Sequence, residues 1–262
     1  MTFASSGAAG LRVEQGEGVA WLIIDRPHRR NAIDRATRLA LAAAAAAAEA
    51  DPEVRVVVLT GSGSSFCAGT DLKEAPPDPP PNPLADPLPR ISGPIEALSK
   101  PVIAAINGPA AGGGLELALA ADLRIASTNA TFALPEVRVG SLAGSGGTQR
   151  LLAAIPPAVA WKMLLTGEPI AAAEALRVGL VSDVVEPGDL RALAASLAAT
   201  IVANAPLSVR AAKVAGQMAT GQGLENGLAF ERALWALLST TDDRAEGRAA
   251  FREGRAPRFR GR

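Results

Sequence analysis

An α/β sheet protein is what this sequence predicts, on two observations. Short apolar runs rich in β-branched residues, Val19–Ile24, Val54–Leu59 and Val102–Ile106, have the length and character of strands buried on both faces. Helix-forming stretches separate them, and strands that alternate with helices build a sheet covered by helical layers.

The elements follow in order. Val19–Ile24 reads as a strand closed by Asp25-Arg26-Pro27. Asp34 is placed to cap a helix that runs to Ala50, where a long alanine run has the highest intrinsic helix propensity. Val54–Leu59 is the second strand and ends in the turn Thr60-Gly61-Ser62-Gly63-Ser64. Val102–Ile106 ends at Asn107-Gly108-Pro109, and a helix starts at the glycine triplet Gly112-Gly113-Gly114. Leu123–Ala126 reads as a short strand, Ala171–Arg177 as a helix stopped by Gly179, and Leu180–Val185 as another short strand. From Asp189 to Gly254 the pattern is helical. The proline-rich stretch from Glu74 to Pro94 is predicted to be a loop, because prolines exclude both helix interior and central strand.

Composition narrows the chemistry. The 262 residues hold 26 basic and 26 acidic side chains, a formal net charge of zero, with no Tyr. No basic stripe with interleaved aromatics is present, which argues against nucleic-acid binding. Cys67 is the only cysteine and His28 the only histidine, which excludes an internal disulfide and makes a zinc site or a Ser-His-Asp triad a poor fit. The first ten residues lack the pattern of a signal peptide, and the longest apolar stretch, Leu39–Ala48, is too short to span a bilayer. A soluble cytoplasmic protein is the expectation. Arg252, Arg255, Arg258, Arg260 and Arg262 gather at the end, as a solvated tail or as a phosphate-binding or subunit-contacting segment.

Two carboxylates stand out. Glu116 follows the glycine triplet, and Glu136 follows Pro135 in Phe132-Ala133-Leu134-Pro135-Glu136. Both runs are otherwise almost wholly apolar, where an ionised carboxylate is costly without partners. Glu116 falls in the first turn of a helix that is apolar on every face and therefore buried. The pair suggests acid–base chemistry. The glycine turns in Phe66-Cys67-Ala68-Gly69-Thr70-Asp71 and at the triplet can present backbone N–H groups to an oxyanion. Neither is a dinucleotide fingerprint or a P-loop, because the required spacings and the Gly-Lys-Ser/Thr sequence are absent.

These four elements, in this order, resemble the crotonase, or enoyl-CoA hydratase/isomerase, superfamily, from about Val19 to the end of the chain. Further matches to the family pattern are Asp25-Arg26-Pro27 with Asn31-Ala32, the run Lys100–Gly108, Gly146-Gly147-Thr148-Gln149-Arg150-Leu151, Leu165-Thr166-Gly167, and Thr241–Gly247. The resemblance implies a spiral of ββα units over residues 11–200. A helical region, 201–262, would serve trimerisation, giving a homotrimer or a hexamer built of two trimers.

The same resemblance implies an oxyanion hole made by the backbone N–H groups of Thr70 and Gly113. It gives Glu116 and Glu136 the work of adding water to C3 and a proton to C2 of an enoyl-CoA thioester. Gly144 would help position the water, and Ala32, Ala68, Asp71, Leu72 and Lys73 would line the path of the CoA. No separate cofactor is implied, since coenzyme A is part of the substrate. The alternatives are a 3,2-enoyl-CoA isomerase, which needs one base, and a non-catalytic acyl-CoA- or RNA-binding member of the fold. Two departures from the hydratase pattern bear on the acyl group: Ala143 stands where proline is common, and the proline-rich stretch replaces helix.

Overall fold

The sheet begins earlier than the apolar runs suggest. In the computed structural model, which describes residues 4–74, 90–219, 221 and 223–262, strands β1 (Ala4–Ala8) and β2 (Leu11–Gly16) precede β3 (Val19–Ile24) as an antiparallel meander. Ala9-Gly10 and Glu17-Gly18 make the two tight turns, all four residues with positive φ, as two-residue hairpins require. Strands β4 (Val56–Gly61), β5 (Val102–Ile106), β7 (Leu123–Ser127) and β10 (Asp183–Val185) extend the sheet in parallel. A second, small sheet joins β6 (Ala110–Ala111), β8 (Thr131–Ala133) and β9 (Ile170–Ala171).

Two predicted strands move. The run expected at Val54–Leu59 pairs from Val56 to Gly61, because the Val54 amide is engaged by Asp51 in the preceding turn while Thr60 and Gly61 pair with Ile23 and Ile24. The run expected at Leu180–Val185 pairs only from Asp183. The Leu180 and Val181 amides reach back to the Ala175 carbonyl, and both side chains enter the core.

Side chains of the central strands alternate between two buried layers, as a period of two dictates. Leu22, Ile24, Val57, Leu59, Ala104 and Ile106 face one core, with α1 (Arg35–Ala50) and the later α3 (Gly113–Ala120) against it. Trp21, Ile23, Val56, Val58, Ile103 and Ile125 face the other, covered by Leu190, Ala194 and Ala198 of α7 (Leu190–Val202). Asp34 caps α1 through the Thr37 amide at 2.8 Å. At the other end of α1 the buried Lys100 ammonium donates to the carbonyls of Ala48 (2.6 Å) and Asp51 (2.5 Å), a cation where the helix dipole is negative.

Of the proline-rich stretch, residues 75–89 lie outside the described residues. Its end differs from expectation, since Gly93 and Pro94 open the short helix α2 (Gly93–Glu96), where proline in the first turn lacks only an N–H the helix does not use. Helices α4 (Gly147–Ala154), α5 (Pro157–Thr166) and α6 (Ala172–Arg177) follow the site, and α8 (Pro206–Gln217), α9 (Leu224–Leu238) and α10 (Asp242–Glu253) form the C-terminal region. Among the described residues no single helix is long and apolar enough to cross a membrane.

The arginine-rich end is not a loose tail. The Asp243 carboxylate accepts the amides of Arg260 (2.7 Å) and Gly261 (2.8 Å). Glu246 pairs with Arg255 and accepts the Arg258 amide, and these contacts hold its carboxyl down at about 2.

Candidate active site

The site is built where two loops touch. After β4 the chain runs through Phe66–Asp71. The Cys67 carbonyl accepts the Ala111 amide at 2.9 Å, and the Phe66 and Cys67 amides share the Pro109 carbonyl. Gly69, at φ +88°, makes the contact close: a methyl there would lie 2.8 Å from the Ala111 oxygen and 2.9 Å from the Gly113 nitrogen. Gly114 is tighter still, since a Cβ would sit 2.0 Å from the Cys67 oxygen. The amide of Gly113, at the start of α3, therefore comes beside that of Thr70. A Cβ on Gly113 would be 3.7 Å from the Thr70 nitrogen. Neither amide donates to a backbone carbonyl among the described residues. Cys67 takes no part as a nucleophile, because complete burial pushes its thiol up to about 12.

Glu116 is buried in the first turn of α3, as its apolar neighbours predicted. One carboxylate oxygen, Oε1, accepts the amides of Ser145 (2.6 Å) and Gly147 (2.9 Å) from the loop that opens α4. That loop is itself pinned. Ser145 Oγ accepts the Ile91 amide at 3.0 Å, and Ser92 Oγ donates to the Ser145 carbonyl at 2.6 Å.

Glu136 lies in a 3-10 turn, Pro135–Val139, directly after β8. Its Oε2 is buried and has no hydrogen-bond partner among the described residues. Burial, reinforced by the negative charge of Glu116, raises its pKa above the ordinary glutamate value. Gly112 lets this carboxylate rest against the backbone, for a Cβ there would stand 3.0 Å from Glu136 Oε1.

The raised pKa has a consequence for stability. A carboxyl whose pKa is higher folded than unfolded favours folding below its unfolded value, and that contribution is lost as pH rises through the folded value. Ionising Glu136 thus weakens the fold. Glu136→Gln is expected to melt about 1–2 °C above wild type at pH 8, with the difference vanishing near pH 4, in paired thermal scans.

Thr70, Gly113, Glu116, Glu136 and Gly144 all line one cavity of about 480 Å³. A second cavity, about 380 Å³, is lined by Ala32, Ala68, Asp71, Leu72 and Lys73, the residues expected along the CoA path. Ala68, Thr70 and Leu72 line both, so the two join at the paired amides. The Asp71 carboxylate is turned to its own loop, accepting the Lys73 amide (3.1 Å) and the Arg26 guanidinium (3.1 Å), which hold its pKa low. It braces the wall it lines. His28, Arg29 and Arg30 also line this second cavity. Their charged run adjoins Ala32 in sequence, a legible signal that His28, read alone as an exposed residue, did not reveal. Arg38, Arg90 and Arg138 line the cavity that holds Glu116 and Glu136 and were not expected there. A larger cleft of about 720 Å³ at the C-terminal arginines contains none of these residues.

Buried Glu116 and half-buried Glu136 share one cavity with the Thr70 and Gly113 amides, and a second cavity lined by His28, Arg29, Arg30 and Lys73 adjoins it. The model of the enoyl-CoA hydratase/isomerase family matches residues 14–262. The chain is 53% identical to an (E)-benzylidenesuccinyl-CoA hydratase of Thauera aromatica, covering 96% of this chain and 99% of that protein. It is 42% identical to a 2,3-dehydroadipyl-CoA hydratase of Escherichia coli, covering 96% and 99%. Among solved structures, an enoyl-CoA hydratase from Mycobacterium tuberculosis superposes with a TM-score of 0.89 at 37% identity, covering 97% of this chain and 99% of that one. The chain belongs to the enoyl-CoA hydratase/isomerase family and has the crotonase fold.

Proposed function

We propose that this protein is an enoyl-CoA hydratase, adding water across the 2,3 double bond of an enoyl-CoA thioester. The observation that carries this reading is the unlike pair on one cavity: Glu116 held as an acceptor by two amides, and Glu136 biased toward its protonated form. The thioester oxygen sits between the Thr70 and Gly113 N–H groups. Glu116 takes a proton from water through its second oxygen as the water oxygen bonds to C3. The electron pair of the double bond moves to the thioester oxygen, where the two N–H groups meet the growing charge. Glu136 then gives its proton to C2, and the proton gained by Glu116 passes back within the pair. The two carboxyl groups line one cavity, so the roles belong to the pair. Gly144 lines the space beside the water. The CoA lies along Ala32, Ala68, Asp71, Leu72 and Lys73, with Arg29 and Arg30 near its phosphates.

Isomerisation would need one base and would leave the anchored Glu116 without a task. The assay is the loss of enone ultraviolet absorbance with 2-enoyl-CoA substrates. Hydration consumes the enone and yields the 3-hydroxyacyl thioester. An inert panel of 2-enoyl-CoAs together with turnover of 3-enoyl-CoAs would replace the reading by isomerisation. A cytoplasmic homotrimer, or a pair of trimers, belongs to the same reading, with no nucleic acid or membrane as partner. Leu224, Leu228, Trp235 and Leu237 of α9 are exposed in the single chain, which supports a subunit contact there. Light scattering tests it.

A further inference from the structure

The catalytic cavity carries more positive charge than hydration uses. Its lining includes three guanidinium side chains, Arg38 of α1, Arg90 before α2, and Arg138 in the turn that holds Glu136. Among the described residues its carboxylates are Glu116 and Glu136. A pocket for a plain hydrocarbon chain is lined by apolar side chains with few polar groups. Here apolar Ile91, Val139 and Leu142 stand among arginines contributed by three separate elements.

Arg38 has the carboxylate of Glu74 near it, and Arg90 and Arg138 have partners of their own. Arg90 pairs with Glu96 at 2.8 Å, but Glu96 also pairs with Arg150 at 2.9 Å, so one carboxylate sits between two cations and the cluster keeps a net positive charge. Arg138 is held at its stem. Its Nε donates to the Thr166 carbonyl at 2.8 Å, and Gly167, whose Cβ would stand 3.0 Å from that Nε, makes room for it. This gives the Leu165-Thr166-Gly167 motif a purpose. Arg138 lines the cavity and makes no ion pair among the described residues, and its bond to Thr166 uses Nε rather than the two terminal nitrogens, the fork that recognises carboxylates. The CoA phosphates do not explain these groups, since none of the three arginines lines the second cavity.

We infer that the enoyl group taken by this site carries a carboxylate of its own, bound by Arg138 within the positive field of Arg38 and the Arg90–Glu96–Arg150 cluster. The inference rests on the hydratase reading and specifies its substrate class. A third carboxylate beside Glu116 and Glu136 would otherwise be repelled; the arginines supply the compensation.

The test compares hex-2-enoyl-CoA with its ω-carboxylated counterpart of equal carbon number. Wild type is expected to favour the carboxylated thioester at least about 10-fold in kcat/KM, as a charge-assisted hydrogen bond would give. Arg138→Gln should reduce that ratio about 10–100-fold, chiefly through KM, and Arg138→Lys should recover part of it. A wild-type ratio near one, or a ratio unchanged by Arg138→Gln and Arg90→Gln, overturns the inference while hydration stands. If wild type hydrates neither thioester, the hydratase reading falls and the inference falls with it. A second measurement needs no variant. Adipyl-CoA should bind wild type about 10-fold more tightly than hexanoyl-CoA, with the gap shrinking as salt rises. Equal dissociation constants would overturn the inference too.

Discussion

Glu116→Gln is expected to lower kcat for hydration by about 10²–10⁴ while leaving the fold intact. The substitution separates the two tasks of this side chain. The amide oxygen of glutamine can still accept the Ser145 and Gly147 N–H groups that now bind Oε1, so the loop opening α4 stays in place. The other end becomes an NH₂ donor that cannot take a proton from water. KM should change little, because the lost interaction forms as the water proton moves. Enone absorbance gives the rate, and circular dichroism with a thermal scan checks the fold. A variant within about threefold of wild type would remove Glu116 from the chemistry and leave Glu136 as a lone base, the isomerase arrangement. Glu136→Gln should be similarly slow. Its melting point at pH 8 should nevertheless rise, which separates a lost proton donor from a damaged structure.

Gly114→Ala should cost both activity and stability. The added methyl would lie 2.0 Å from the Cys67 oxygen and 2.7 Å from the Cys67 carbonyl carbon. That oxygen cannot swing aside, because it accepts the Ala111 amide at 2.9 Å. α3 must therefore retreat from the Phe66–Asp71 loop. The retreat carries the Gly113 amide away from Thr70 and Glu116 away from its two donors. Overpacking of this kind costs about 1–3 kcal/mol, and a displacement near 1 Å at reacting groups costs about 100-fold in rate. Gly216→Ala is the control. Nothing lies within 4 Å of a Cβ at that exposed position near the end of α8, and replacing glycine in a helix should stabilise it by about 0.5–1 kcal/mol. A Gly114→Ala protein with wild-type activity and melting point would show that the two loops need not touch.

Much of this architecture was readable before any coordinates. Strands β3 and β5 fall where their apolar runs do, because a strand buried on both faces leaves an unbroken signature. α1 starts at the residue whose side chain can cap it. β2 escaped because most of its length is only half buried. Leu11-Arg12-Val13-Glu14 alternates too briefly to stand out, although the Glu17-Gly18 turn beside it was a usable sign. The displacement of β4 by two residues escaped for another reason. Pairing register is chosen by neighbouring strands, and Val54 is buried in either register.

The sequence alone determined which residues are costly to place. A glutamate amid apolar neighbours must find partners, and glycines at successive positions must lie where backbones meet. These are local facts of burial and sterics, and they single out Glu116, Glu136 and the two glycine turns, whereas Thr70 and Gly113 in particular came from the family resemblance. Tertiary structure decided who the partners are. The donors to Glu116 come from 29 and 31 residues further along the chain, and among the described residues Glu136 is left with one oxygen unpaired. It also decided that Arg38, Arg90 and Arg138 share one cavity with them. An arginine in sequence looks the same whether it meets solvent or a substrate. Only the folding of distant segments onto one another, which no local pattern encodes, makes the difference.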